Sequence, residues 1–107
     1  MSLKNMTLEN IAKACNGIYI GDESLKQTEI TGVEKDSRLI EEGYLYLPFV
    51  GAKVDGHDFI PQVFEKGALC TLSEKKLDIN KPYILVKSVA DALKAIAEFY
   101  REQLSCK

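Results

Sequence analysis

Residues 44–72 read YLYLPFVGAKVDGHDFIPQVFEKGALCTL, and within them the apolar period changes twice. Leu45, Leu47 and Phe49 alternate with Tyr44 and Tyr46, the two-residue period of a strand with distinct faces. Pro48 has no N–H to give a ladder, so that strand is expected to be an edge there or to end nearby. DFIPQVFEKG then reads as a short helix. Pro61 sits in its first turn, Ile60, Val63 and Phe64 face inward, and Gly67 stops it. ALCTL follows as a short apolar strand. A strand, a polar loop, a helix and a second strand in so few residues require a sheet with a helix packed on it.

The flanking sequence extends this pattern. Leu8, Ile11, Ala12 and Cys15 recur at helical spacing, with Thr7 placed to cap the start and Gly17 to end it. GIYIG is expected to be a strand turning at Gly21-Asp22. TEITGVEKDSR is extended, with Gly32 marking a bulge or a close approach, and EEG at 41–43 is a turn. SEKKLDINK is a solvated loop and PYILV a strand. Ser88 is placed to cap a long helix, with Asp91 three residues on for a capping box. Val89, Leu93, Ile96, Ala97, Tyr100 and Leu104 give that helix an apolar stripe for core packing. The fold class implied is α/β: a small single domain, a mixed β-sheet with helices packed on it.

Length and charge narrow the functions. The 107 residues suit one domain with one core, and the formal net charge of -2 supplies no basic field for nucleic acid or anionic lipid. An anionic ligand must therefore be held by local groups. No apolar run approaches the roughly 18 residues that span a membrane. MSLKNMTLEN has no apolar segment of the kind a secretion signal carries, and a cytoplasmic location is expected. Cys15, Cys70 and Cys106 are far apart and odd in number. They fit a reducing compartment better than a zinc ribbon or a disulfide framework, and Cys15 and Cys70 read as core thiols.

Few residues offer chemistry. His57 is the sole histidine. A Ser37–His57–Asp triad can be drawn, but no G-x-S-x-G elbow supports it. No G-x-x-x-x-G-K-[ST] or G-x-G-x-x-G is present to cradle phosphates, and metal ligands are too scattered to suggest a site. A binding site is better supported. In DSR, residues 36–38, Ser37 can donate and accept, which suits the edge of a pyrimidine. Arg38 can fork onto a phosphate or carboxylate, or pair with Asp36 or Asp55, and Asp36 can cap a turn. In VGAKVDGHDFI, Gly51 and Gly56 free the backbone to approach a flat base. Ala52 and Val54 can press on such a base, Lys53 can add charge near a diphosphate, and Asp55 can fasten the loop. His57 can donate to a ligand or cap the helix that follows.

The stretch GVEKDSRLIEEGYLYLPFVGAKVDGHDFIPQVFEKGA, residues 32–68, resembles the amino-terminal domain of the Mur ligases, which build the peptidoglycan stem peptide. The order DSR, glycine, apolar strand, G-x-x-x-DGHDF-I and a helix ending in GA carries the likeness, which runs more loosely over the whole chain. Tyr44 and Tyr46 stand where the family usually has an acid and a phenylalanine. The opening helix, ITGVEKDSR and DGHDF most resemble the branch that joins D-alanyl-D-alanine to UDP-N-acetylmuramoyl-tripeptide. The branch adding the third stem-peptide residue shares the pattern.

The resemblance implies that residues 1–107 are the first of three domains and hold the uridine end of a UDP-N-acetylmuramoyl peptide. It implies that Ser37 and the segment Ala52, Lys53, Val54 hold the uracil. Asp36, Arg38, Asp55, Gly56 and His57 match the motif and shape the pocket. No cofactor is expected in this chain; ATP and magnesium belong to the central domain of the parent, joined in cis, where a carboxylate becomes an acyl phosphate and an amine attacks it. No catalytic residue and no metal ligand is expected here. The rival expectation is a free-standing interaction module of the same fold.

Overall fold

The computed structural model describes residues 5–50 and 55–105. Gly51, Ala52, Lys53 and Val54 lie outside the described residues, so the uracil contacts expected of the last three are not placed. Helix α1 (Leu8–Ala14) opens the fold, capped by the Thr7 hydroxyl, which accepts from the Asn10 N–H at 3.1 Å. Strands β1 (Ile18–Ile20), β2 (Gly32–Glu34) and β3 (Tyr44–Tyr46) follow. Helix α2 (Ile60–Glu65), strands β4 (Cys70–Ser73) and β5 (Tyr83–Leu85), and helix α3 (Val89–Ser105) complete it. Among the described residues the five strands form one sheet in the order β1-β5-β4-β3-β2. Strands β2 to β5 run parallel, while β1 is antiparallel on the β5 edge, so the sheet is mixed as expected.

The alternation in YLYL places two different cores on the two sheet faces. Leu45 and Leu47, with half-buried Phe49, join Leu8, Ile11, Cys70, Leu72, Ile84, Val89 and Ile96 on the face covered by α1 and α3. Tyr46, with Tyr44 beside it, packs against Ile60 and Val63 of α2 on the other. Each fully buried Leu or Ile contributes about 1.5–3 kcal/mol against leaving it in water. Helices α1 and α2 are short, so this packing rather than helix propensity holds them.

Several expectations are refined. Strand β3 lies between β4 and β2, not at an edge, but it ends two residues before Pro48, which satisfies the constraint that proline imposes. Gly32 is a close approach: a Cβ there would lie 2.6 Å from the Tyr44 ring, which covers it from the neighbouring strand. Helix α1 is ended by Asn16 rather than Gly17. Asn16 takes the left-handed conformation at φ 56°, its N–H bonds Lys13 O, and Gly17 N–H closes back on Ala12 O at 2.8 Å. Helix α3 begins as expected, the Ser88 hydroxyl accepting from Asp91 N–H at 3.2 Å. Its buried side is Val89, Ala92 and Ile96, with Leu93, Phe99 and Tyr100 half-buried, whereas Ala97 is exposed. The 3.6-residue period carries Ala97 round to the rim of the core.

Candidate functional site

A cleft of about 640 Å³ opens beyond the carboxyl ends of β2 and β3. Ligands of open α/β sheets characteristically bind beyond the carboxyl ends of the strands, where the connecting loops expose backbone and side-chain groups. One wall is the turn after β2, Lys35 to Arg38; the opposite wall is Phe59, Gln62 and Lys66. Tyr46, Phe49, Val50 and Gly56 complete the lining. The half-buried rings of Phe49 and Phe59 give a flat apolar ligand a surface to lie on, and the rim is polar and cationic.

The DSR turn is fixed by its own residues. Asp36 caps a 3-10 turn, Ser37–Leu39, by accepting from Arg38 N–H at 2.9 Å. The Arg38 guanidinium forks back onto the same carboxylate, Nε to Oδ1 at 3.0 Å and Nη2 to Oδ2 at 2.8 Å. Arg38 thus makes the local ion pair anticipated with Asp36, while its side chain stays solvent-exposed. These bonds from Arg38 hold the Asp36 carboxyl down at about 2. The turn presents Ser37 to the cleft, and Lys66 Nζ donates to the Ser37 carbonyl at 2.9 Å, bracing one wall against the other. With Asp36 committed to Arg38, Lys35 and Lys66 leave the cleft locally positive in a chain of net negative charge.

The second edge is built around Gly56. Its N–H donates to Phe49 O at 2.8 Å, and its carbonyl accepts from the Tyr46 hydroxyl at 3.0 Å. A Cβ on Gly56 would stand 2.8 Å from Phe49 O and from Pro48 Cα, so no larger residue fits without moving backbone. Asp55 forms a bridge with Val50 and caps the 3-10 turn Gly56–Phe59 through its carboxylate, which accepts from His57 N–H at 2.9 Å. This bond and the contact with the His57 ring hold the Asp55 carboxyl below the ordinary range.

The structure brings Asp36, Ser37, Arg38 and Gly56 to the cleft and leaves Asp55 and His57 behind its lining. His57 neither faces the cleft nor caps α2, whose N-cap is Phe59 without a side-chain bond. Its ring is buried, with Nδ1 2.7 Å from Asp55 Oδ1 and Nε2 accepting from Glu74 N–H at 3.0 Å. Both nitrogens are engaged away from Ser37, which removes the paper triad. Lys35, Tyr46, Phe49, Val50, Phe59, Gln62 and Lys66 also line the cleft but were not anticipated. Gln62 and Lys66 lie one helical turn apart on the side away from Ile60 and Val63; that spacing was the available signal.

Residues 29–101 match the model of the Mur ligase family, catalytic domain. The chain belongs to the Mur ligase family. It is 33% identical over 104 residues to the UDP-N-acetylmuramoyl-tripeptide–D-alanyl-D-alanine ligase of Bacillus subtilis, covering 94% of this chain and 22% of that relative. It is 39% identical over 98 residues to the UDP-N-acetylmuramoyl-L-alanyl-D-glutamate–2,6-diaminopimelate ligase of Bacteroides thetaiotaomicron, covering 86% of this chain and 19% of that relative. A crystal structure of MurF from Acinetobacter baumannii superposes with a TM-score of 0.83 at 28% identity, over 98% of this chain and 23% of that one. The chain thus spans about a fifth of the length of these Mur ligases, and its five-stranded sheet and helices match the solved MurF fold.

Proposed function

We propose that this chain is the amino-terminal, uridine-diphosphate-anchoring domain of an ATP-dependent peptidoglycan-precursor ligase. The carrying observation is the cleft itself, with aromatic rings below, the Ser37 turn on one wall, and Lys35, Arg38 and Lys66 at the rim. Such a lining suits a flat base with an attached diphosphate. By family resemblance, Ser37 with Ala52, Lys53 and Val54 takes the uracil. The cationic rim takes the diphosphate, and the peptide end of the UDP-N-acetylmuramoyl substrate extends beyond this chain.

The residues present do not fit ATP and magnesium. The sequence has no G-x-x-x-x-G-K-[ST], and among the described residues no three His, Cys, Asp or Glu side chains converge to hold a metal. The matching family model is that of a catalytic domain, yet among the described residues His57 has both ring nitrogens engaged behind the cleft lining, leaving it no free base to offer Ser37. We therefore assign amide formation to the rest of the parent enzyme in cis, and to this chain the positioning of the substrate. Binding energy from a remote uridine, used to orient a distant carboxylate, is an ordinary source of rate.

The reaction step proposed is the joining of D-alanyl-D-alanine to the UDP-linked tripeptide. The alignment with the Bacillus subtilis tripeptide ligase runs over nearly the whole chain and supports that step. The alternative is addition of the third stem-peptide residue, supported by the 39% identity to the Bacteroides thetaiotaomicron ligase. No described helix is long and apolar enough to cross a membrane, and a cytoplasmic substrate pool fits the proposal.

Titration of the isotopically labelled chain with UDP tests the reading. Amide shifts are expected at Ser37, Arg38, Val50, Gly56 and Lys66, and absence of any shift there at millimolar UDP would refute it. Ser37→Ala is expected to weaken binding by about 1 kcal/mol, close to fivefold, for one net hydrogen bond.

A further inference from the structure

His57 uses both ring nitrogens on opposite sides of a loop junction. Glu74 N–H can only donate, so Nε2 is unprotonated and Nδ1 carries the proton toward Asp55 Oδ1, 2.7 Å away. The ring is 3% exposed, so water cannot replace either partner cheaply. On one side stands the Asp55–Gly56 edge of the cleft, bridged to Val50 and bonded to Phe49 O. On the other stands Glu74, immediately after β4, whose carboxylate accepts from Val89 N–H at 2.8 Å and so caps the first turn of α3. The Asp55 contact is local, two residues away; the Glu74 contact reaches across the fold.

We propose that His57 is a positioning residue of the cleft. It ties the Asp55–Gly56 edge to the end of β4 through Glu74, and through Glu74 to the start of α3. This inference rests on the reading of the cleft as a uridine-diphosphate site. A loop edge held in place before the ligand arrives loses less freedom on binding, so the tether raises affinity without touching the ligand.

Two measurements test it. Without ligand, Gly56 amide exchange is compared with that of Leu72 in β4, in the wild type and in His57→Ala. The variant is expected to speed Gly56 selectively, and equal protection in a folded His57→Ala chain overturns the proposal. UDP affinity is then measured for His57→Ala, His57→Gln and His57→Asn. Alanine is expected to weaken UDP about five- to tenfold, the equivalent of one net hydrogen bond. Glutamine reaches where Nε2 sits and is expected to restore most of the affinity through Glu74. Asparagine reaches only where Nδ1 sits and is expected to remain weak. Equal affinities for the two amides would mean that the ring merely fills space. If the wild type binds no UDP while His57→Ala still frees Gly56, the ligand assignment has failed and the tether stands.

Discussion

Replacing Tyr46 by phenylalanine isolates one hydroxyl that serves both the core and the cleft. Tyr46 is 1% exposed, and its hydroxyl donates to Gly56 O at 3.0 Å. Removing it leaves that carbonyl short of a donor. The expected cost at about pH 7 is about 1 kcal/mol, rising toward about 3 if water cannot enter. For a domain of this size that lowers Tm by roughly 4–8 °C per kcal/mol. The same hydroxyl gives a second reading. Burial, reinforced by the Asp36 and Asp55 charges, pushes the Tyr46 phenol up to about 12. The unfolded chain releases that proton near pH 10, so the native state holds it more tightly. This contribution is therefore fully present below about pH 10 and is lost as the pH rises toward 12, at no more than about 1.4 kcal/mol per pH unit. Phenylalanine has nothing to titrate. Urea unfolding of both proteins from about pH 7 to about pH 11.5 should show the stability gap shrinking with alkalinity. A gap that stays constant over that range would refute the account, because Tyr46 would then titrate as it does in the unfolded chain.

Lys66→Gln removes a rim cation and the brace on Ser37 O, and UDP affinity should fall by about 0.5–1 kcal/mol more than that for uridine, which loses only the brace; calorimetry with both ligands reads the difference. Gly32→Ala drives a Cβ to 2.6 Å from the Tyr44 ring and should cost about 1 kcal/mol in denaturant unfolding, partly recovered in the double variant with Tyr44→Ala. Arg38→Gln should raise the Asp36 carboxyl from about 2 toward its ordinary value, seen in a carboxyl NMR titration. Because the folded value is the lower one, the Asp36 contribution to stability is present above about pH 4 and fades as the pH falls toward 2, and the variant should lose that acid limb.

What was legible in the sequence followed from local period and cap chemistry. Thr7 and Ser88 were readable as caps because a short hydroxyl before a periodic run has one main use. The faces of YLYL were readable because a strand has a strict period of two, and the two cores confirm them. The strand order was not, since nothing in GIYIG says that it pairs with PYILV from the far end of the chain. Gly17 is the stop that sequence favours because glycine is the commoner left-handed residue, whereas the positive φ of Asn16 and the bond from Gly17 N–H to Ala12 O show that Asn16 makes the turn. At the cleft, the DSR turn was legible because Asp36 and Arg38 are two residues apart. The partners of His57 were not, because Glu74 lies far along the chain and offers its backbone, which any residue carries.

The placement of β1 sets an order of assembly. Strand β1, the first of the five described strands in chain order, pairs only with β5, the last of the five, Ile18 facing Leu85. The parallel ladder from β2 to β5 joins strands that neighbour one another in sequence, and it falls within residues 29–101 that the family model matches. A growing chain can therefore close that ladder stepwise, each closure costing little loop entropy. Strand β1 has no ladder partner among the described strands until Tyr83–Leu85 has emerged. Strand β1 is then the latest part of this sheet to dock, although it is synthesised before the other four strands.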